Sequence, residues 1–143
     1  IIIMLMLRQF FLRVSRPPSR IAILSNELST SMNLHKCMEV NNENEFEDVV
    51  LKSNKGVIVN FHADWCEPCG ILTPKLNELL EFSEEVDLAN INIENCVNLV
   101  ETFEVKAIPS VLAFKDGILV DKFVGLVDIS VLEKIINRLK SIP

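Results

Sequence analysis

Two cysteines separated by two residues carry the clearest chemistry in this chain of 143 residues. Cys66 and Cys69 follow an apolar run, residues 57–61, and begin a segment whose apolar spacing predicts a helix. A strand that leads into Cys-x-x-Cys at a helix start is typical of a dithiol–disulfide redox pair. Unpaired backbone N–H groups and the helix dipole stabilise a thiolate at the first cysteine. We therefore expect Cys66 to be the nucleophile and Cys69 to resolve the mixed disulfide.

Two other kinds of site use the same spacing. A zinc site would need a second ligand pair, and Cys37, Cys96, His35 and His62 form neither a second Cys-x-x-Cys nor a His-x-x-x-His. A purely structural disulfide stays open as an alternative, but so small a ring constrains the unfolded chain only weakly. Redox chemistry is therefore the favoured interpretation, and no metal site is predicted.

The elements that would position this pair alternate along the chain as strands and helices. Residues 57–62 are apolar on both faces except at Asn60, as expected of a central strand covered by helices on each side. Residues 115–117, Lys-Asp-Gly, lie between two strand-like runs and predict a hairpin. This order predicts an α/β fold with a central mixed β-sheet flanked by helices on both faces. The predicted strands are residues 37–40, 57–62, 88–93, 110–114 and 118–124, and the predicted helices are 43–52, 66–82, 97–103 and 129–139.

Residues 61–69 resemble the active-site segment of thioredoxins, whose usual form is Trp-Cys-Gly-Pro-Cys and which here contains Trp-Cys-Glu-Pro-Cys. The resemblance covers about residues 40–140 in one register, and residues 62 and 121–125 are most similar to the mitochondrial members. It implies the thioredoxin fold for a domain at residues 37–143. The further matches are the helix-kinking Pro74, the loop at 107–110 whose proline is cis in the family, the hairpin turn at 114–117, and Gly125 beside the substrate groove.

The resemblance also implies an activity and the residues that serve it. Thioredoxins are protein-disulfide reductases with no bound cofactor; their redox-active disulfide, here Cys66–Cys69, is reset with electrons from NADPH through thioredoxin reductase. Their clients are proteins with disulfides, in mitochondria typically peroxiredoxins, and we expect a monomer. The residues implied to form the active site and substrate groove are Trp65, Glu67, Pro68, Pro109 and Gly125.

Four positions depart from the family pattern, and one of them is Gly70, which replaces a common Lys just after the second cysteine. Thioredoxins usually have a buried Asp where this chain has Asn60, and a Lys that pairs with it where this chain has Asn90. Losing both partners together avoids stranding one buried charge, which would cost about 3–5 kcal/mol. An amide cannot take the proton of Cys69, so we expect that proton to leave through water or more slowly. Glu67 replaces the usual Gly, and its negative charge disfavours a thiolate at Cys66.

The other histidine and cysteines near the predicted sheet have plainer interpretations. His62 shares a strand face with Asn60, and we interpret it as a structurally satisfied histidine and not as a catalytic base. Cys37 and Cys96 are expected to be reduced, partly buried thiols. A regulatory disulfide between these two stays open as a minor alternative, since the sequence does not supply the Cα separation that such a bond requires.

Charge divides the chain into two regions. Residues 37–143 hold 9 basic and 19 acidic side chains, a net charge of −10, whereas residues 1–36 hold 5 basic and 1 acidic, a net charge of +4. The acidic region argues against nucleic-acid binding, which depends on Lys and Arg clusters at phosphates. The four glycines form no Gly-x-Gly-x-x-Gly, so no nucleotide site is predicted.

The first 36 residues have the composition of a mitochondrial transit peptide. Four arginines are spread among Leu, Phe and Ser, and the first acidic residue is Glu27, a pattern typical of import into the matrix. A membrane-spanning helix needs about 20 apolar residues, and Arg8 and Arg13 interrupt this stretch. We therefore predict a mitochondrial matrix protein without a membrane partner, and the alternative for residues 1–36 is a disordered basic tail.

Two other function classes remain as alternatives to a reductase. Asn60, Glu67 and Asn90 would suit a protein-binding module of the same fold in which redox turnover is weak. An oxidase or isomerase domain of the secretory pathway would be expected to carry a signal peptide instead of a transit peptide. A glutaredoxin is disfavoured because Trp65 and Pro68 do not match its pattern.

Overall fold

The computed structural model describes residues 37–143, so the transit-peptide prediction for residues 1–36 lies outside the described residues. Strands and helices alternate along these residues before a closing hairpin and a last helix. The strands are β1 (Cys37–Glu39), β2 (Gly56–His62), β3 (Val86–Asn92), β4 (Ser110–Lys115) and β5 (Ile118–Val124), and the helices are α1 (Glu43–Phe46), α2 (Glu67–Leu80), α3 (Val97–Thr102) and α4 (Ile129–Ser141).

The five strands form one mixed sheet in the order β1-β3-β2-β4-β5. β2 lies at its centre, parallel to β3 and antiparallel to β4, and β5 pairs antiparallel to β4 at the edge. Every residue of β2 and β3 except the last of each is buried, because helices cover both faces of the sheet. The predicted α/β fold with a central mixed sheet is confirmed.

Alternation along β2 separates the core into two clusters. Val57, Val59 and Phe61 point to one face, where they pack with a group of aromatic rings. Ile58 points to the opposite face and packs against α2 and α4. The aromatic group consists of Phe46, Phe61, Phe103 and Phe114, with ring centroids 5.2–6.5 Å apart.

The predicted helix at residues 43–52 differs from the structure in its second half. α1 ends at Phe46 and continues as a π-helical turn over Glu47–Leu51, in which the Lys52 N–H donates to the Glu47 carbonyl oxygen at 2.9 Å. Phe46 and Val50 are both buried. The spacing of apolar residues records which face is buried, but it does not distinguish an α-turn from a π-turn.

The predicted hairpin is present and has a two-residue turn. Asp116 and Gly117 both have positive φ, at 50° and 74°, which is the backbone that this kind of turn requires. A Cβ on Gly117 would lie 2.5 Å from the backbone oxygen of Leu51. Glycine is therefore needed here both for its conformation and for its lack of a side chain.

Candidate functional site: the junction of β2 and α2

The two cysteines lie at the junction of β2 and α2 and form a disulfide, with a Cα–Cα distance of 5.3 Å. Cys66 is the N-cap of α2, and its sulfur accepts a hydrogen bond from the Cys69 N–H at 3.3 Å. Glu67 and Pro68 occupy the first turn, where a proline costs no helical hydrogen bond. The first sulfur thus lies at the positive end of the helix dipole, and Cys69 is one turn further along.

An apolar groove of about 260 Å³ opens on one side of this junction. Strand pairing assembles it, because the antiparallel register sets Phe61 opposite Ser110 and brings the preceding loop beside the cysteines. The Ile108–Pro109 peptide bond in that loop is cis, as the resemblance implied. The groove is lined by Glu67, Pro68, Ile71, Ile108, Pro109, Gly125 and Leu126.

Gly125 lines the groove and is hydrogen-bonded to the loop that contains Pro109. Its N–H donates to the Pro109 carbonyl oxygen at 2.7 Å, and its φ is +90°. A Cβ built on Gly125 would meet no atom within 4 Å, so a side chain there would project into open space at the groove. Ile71 is 48% exposed at this groove, whereas the neighbouring Leu72 is buried in the core.

Trp65 directly precedes Cys66 and is 67% exposed. Its Nε1 donates a hydrogen bond at 3.3 Å to Oε1 of Glu94, which lies in the loop that follows β3. Trp65 also lines a second, shallow pocket together with Ile93, Lys106 and Ile108. Glu94 and Lys106 were missed in the sequence because no motif connects them to the cysteines.

Beneath the disulfide, Asn60 is fully buried and begins a chain of hydrogen bonds. Its Nδ2 donates to Thr73 Oγ1 and to Asn90 Oδ1, both at 3.0 Å. Asn90 Nδ2 in turn donates to Glu39 Oε1 at 3.1 Å and to Cys37 Sγ at 3.2 Å. Two neutral amides thus contact each other where the family pattern has an ion pair, and no charge is stranded by the exchange.

One acceptor in this series of hydrogen bonds is unused, since Asn60 Oδ1 has no hydrogen-bond partner within residues 37–143. A buried polar atom without a partner costs about 1–3 kcal/mol. Thr73 and Glu39, which belong to the chain, were missed in the sequence. Strand alternation could have placed Glu39 and Cys37 on one face, but only the β1–β3 register brings that face to Asn90.

The interpretation of His62 as structurally satisfied was wrong. Its Nε2 is buried and has no hydrogen-bond partner within residues 37–143. The Glu39 carboxylate faces it, but its Oε2 lies 3.9 Å away, beyond hydrogen-bonding distance. His62 lines a cavity of about 290 Å³ together with both cysteines, Asp64 and Thr73.

Cys37 and Cys96 are both free thiols, but Cys37 is exposed and Cys96 is buried, so the prediction of a partly buried thiol was wrong for Cys37. Burial raises the pKa of the Cys37 thiol, the Glu39 carboxylate raises it further, and a hydrogen bond from Asn90 opposes both. Burial also raises the pKa of the Cys96 thiol. Cys37 contacts Asn77 of α2, whereas Cys96 packs in the aromatic core on the other face of the sheet, so the geometry does not favour a disulfide between them.

Comparison with known proteins assigns this architecture to a family. The family model named Thioredoxin matches residues 37–138. The chain belongs to the thioredoxin family. Among curated relatives, mitochondrial thioredoxin of Mus musculus is 42% identical over 96 residues, which span 66% of this chain and 58% of that protein. The chain therefore matches somewhat over half the length of this relative.

Solved thioredoxin structures have the same fold. A mutant thioredoxin from Halobacterium salinarum NRC-1 is 29% identical, with a TM-score of 0.70 over 77% of this chain and 96% of that chain. A chain from a study of the thiol resolving mechanism in yeast mitochondrial 1-Cys peroxiredoxin, via glutathione/thioredoxin systems, is 27% identical. Its TM-score is 0.66 over 74% of this chain and 98% of that one. These structures confirm the thioredoxin fold that the resemblance implied.

Residues 37–143 contain no cluster of three or more His, Cys, Asp or Glu side chains that could hold a metal ion. In the same part of the chain, no helix is both long enough and apolar enough to cross a membrane.

Proposed function

We propose that this chain is a protein-disulfide reductase that works by dithiol–disulfide exchange at Cys66 and Cys69. The observation that carries the proposal is the Cys66–Cys69 disulfide at the N-terminus of α2, next to the cis Ile108–Pro109 loop. Membership of the thioredoxin family supports it. The reduced pair supplies two electrons, which convert one client disulfide into two thiols.

The two cysteines have separate roles in this proposal. The Cys66 thiolate, stabilised by the Cys69 N–H and the helix dipole, attacks one sulfur of the client disulfide and releases the other as a thiolate. Cys69 then loses its proton and attacks the Cys66 sulfur, so the Cys66–Cys69 bond forms and the bond from Cys66 to the client breaks. A second client thiolate leaves and takes up a proton.

The groove beside the disulfide is the proposed client-binding site. Its lining is mostly apolar, and Trp65 and Ile71 stand exposed on either side of the cysteines. The backbone around Pro109 is available for an extended client segment to pair with, and Gly125 leaves the groove free of a side chain. Glu67 adds a negative charge at the rim, where it disfavours the Cys66 thiolate and lowers the expected rate of attack.

The proposed partners follow from the family. Thioredoxin reductase, drawing on NADPH, would reset the oxidised pair, and disulfide-containing proteins would be the clients. One structural relative comes from work on a yeast mitochondrial peroxiredoxin, which supports peroxiredoxins as one client class. We propose that the protein acts as a monomer, with residues 37–143 as its catalytic domain.

The test of the function is NADPH consumption with thioredoxin reductase and insulin as the disulfide substrate. The full chain should turn over, and Cys66→Ser should abolish turnover. Cys37→Ser is the matched control, because Cys37 is a free thiol outside the disulfide, and it should retain activity. Absence of turnover in the folded, unmodified chain would contradict the reductase.

A second candidate function is protein binding with weak redox turnover. It is favoured by the buried amides Asn60 and Asn90, which cannot take a proton from Cys69. In the same assay this candidate predicts no turnover while Cys66→Ser still binds the same proteins through the groove.

We further propose that residues 1–36 are a transit peptide and that the protein acts in the mitochondrial matrix. The mitochondrial thioredoxins among its relatives support this location, as does the basic, acid-poor composition of the segment. A fluorescent protein fused to residues 1–36 should accumulate in mitochondria. Replacing Arg8, Arg13, Arg16 and Arg20 by Gln should leave it in the cytosol, and a cytosolic unmodified fusion would contradict the proposal.

A further inference from the structure

His62 lies where the resolving step needs a proton acceptor. It ends β2 two residues after Asn60, so both side chains point to the α2 side of the sheet. It lines the same cavity as Cys66, Cys69 and Thr73, and Thr73 accepts the hydrogen bond from Asn60. The histidine thus borders the space next to the resolving cysteine.

The Nε2 atom of the His62 imidazole takes no part in the hydrogen bonds among residues 37–143. This atom is nevertheless buried. Buried polar atoms are nearly always paired, and an exception calls for an explanation such as catalysis. In the same layer, Asn60 Oδ1 also has no hydrogen-bond partner within residues 37–143.

Few groups around this cavity can exchange a proton near neutral pH. Asn60 and Asn90 are amides and do not titrate. The cavity lining offers the two cysteines, His62 and the exposed carboxylate Asp64. An imidazole is the side chain best matched to proton transfer at this pH, since a carboxylate is a weak base towards a thiol.

Glu39 would stabilise the charge that forms when the imidazole takes a proton. Its Oε2 lies 3.9 Å from His62 Nε2, while its Oε1 is held by Asn90 Nδ2 at 3.1 Å. The carboxylate is 62% exposed, so solvent weakens its effect. Its role is to orient and support the imidazolium, not to contact the cysteines.

We propose that His62, supported by Glu39, accepts the Cys69 proton during resolution, in place of the carboxyl group that Asn60 replaces. This rests on the proposed reductase function. As the Cys69 proton passes to the imidazole of His62, the Cys69 sulfur attacks Cys66 and the Cys66–client bond breaks. The imidazolium then returns the proton to solvent or to the departing client thiolate, so protons and electrons balance.

The test separates the two steps of one reaction. The reduced full chain is mixed with 5,5′-dithiobis(2-nitrobenzoate) in a stopped-flow instrument. Attack by Cys66 releases the first coloured thiolate in a second-order phase, and resolution by Cys69 releases the second in a first-order phase. His62→Gln should slow the second phase about a hundredfold, within the range for general base catalysis, and leave the first phase within about twofold.

The pH profile distinguishes proton transfer from a structural role. In the unmodified protein the rate of the second phase should rise with pH, and His62→Gln should flatten that rise. The charged or titratable groups facing His62 are Glu39 and Cys37 from β1, Asp64 from the loop, and the two active-site cysteines, whereas β3 contributes the neutral Asn90 and Asn92. Glu39→Gln should slow the second phase because the imidazolium loses its carboxylate. Glu101→Gln, which removes an exposed carboxylate on α3, should not slow it.

Chemical rescue keeps the proposal testable if a variant is less stable. Free imidazole added to folded His62→Ala should restore the second phase in proportion to its concentration and leave Cys69→Ser inactive in that phase. A slowed phase that keeps its pH rise and ignores imidazole would assign His62 a structural role and overturn the proposal. An unchanged second phase in His62→Gln would also overturn it while leaving the reductase intact, whereas absence of both phases in the unmodified chain would contradict the reductase itself.

Discussion

At the scale of single residues, Asn60 shows how the site exchanges an ion pair for neutral hydrogen bonds. Both of its amide hydrogens are used, one towards Thr73 and one towards Asn90. Asn90 is oriented in turn by its donation to Glu39. Each amide is therefore oriented by a hydrogen bond to its neighbour, and a substitution at one position changes the hydrogen bonding at the other.

A carboxylate at position 60 should destabilise the protein in a pH-dependent way. Asn60→Asp replaces a donor by an acceptor that faces Asn90 Oδ1, which should cost about 1–3 kcal/mol of the free energy of unfolding. Burial raises the pKa of such a carboxyl above its unfolded value. The loss should therefore be small below about pH 3, where the group is protonated in both states, and grow as the pH rises above about 4.

Urea unfolding of Asn60→Asp at acidic and at neutral pH measures this difference. The control is Asn60→Asp with Asn90→Lys, in which the ammonium group should recover part of the loss at neutral pH. If the free energy of unfolding falls by the same amount at both pH values, the carboxylate that Asn60→Asp introduces is not buried in the folded protein.

The free thiols should be slow to react. Burial raises the pKa of both Cys37 and Cys96, so each has a smaller thiolate fraction near pH 8 than an unperturbed cysteine, and the thiolate is the reactive form. With the Cys66–Cys69 disulfide intact, iodoacetamide should modify both more slowly than it modifies the unfolded chain, at a rate that rises with pH. Mass spectrometry of the peptides measures this, and rapid labelling of Cys37 near pH 7 would contradict it.

At the scale of elements, α4 covers the sheet by packing closely on the first residue of β2. A Cβ on Gly56 would lie 2.9 Å from the Leu139 Cβ, and Leu139 is buried with Leu132, Ile135 and Ile136. The close approach lets α4 cover the same sheet face as α2, which carries the cysteines.

Gly56→Ala should therefore destabilise the fold by about 1–3 kcal/mol, because the methyl group meets the stem of Leu139 and not a flexible end. The matched control is Gly70→Ala in α2, where a Cβ meets nothing within 4 Å. That change should stabilise the protein by about 0.5–1 kcal/mol, since alanine favours a helix interior over glycine. Thermal and urea unfolding measure both, and a neutral Gly56→Ala would mean that α4 shifts freely.

At the scale of the whole molecule, the sheet gathers the site at one of its ends. β2 and β3 are parallel, so the cysteines after one and Glu94 after the other lie at the same end. β4 runs the opposite way, so the cis proline before its start arrives at that end too. Three acidic residues, Asp64, Glu67 and Glu94, surround the site that is gathered there. The site is therefore acidic, and it belongs to a region of net charge −10.

This charge should select among clients. A peptide disulfide flanked by Lys should be reduced about tenfold faster at low ionic strength than the same peptide flanked by Glu, because the field of the protein steers the encounter. The ratio should fall towards one near 1 M salt, where charges are screened within about 3 Å. Glu67→Gln should lower the ratio, and Glu133→Gln on α4, outside the groove lining, should not. A ratio that does not respond to salt would rule out steering.

The amino-acid sequence determined the features whose causes lie within a few residues: the redox pair at a helix start, the alternation of the central strands and the two-residue hairpin turn. Contacts between distant residues depended on the order and register of the strands, which local periodicity does not encode. The family resemblance implied that Pro109 lies at the groove and that positions 60 and 90 form a pair, and the tertiary structure supplied their contacts. Only the tertiary structure set Glu94 against Trp65 and left His62 Nε2 without a hydrogen bond within residues 37–143. Each of these arises because residues about 20 to 50 positions apart are brought together by pairing across a mixed sheet, in which neighbours in space are not neighbours in the chain.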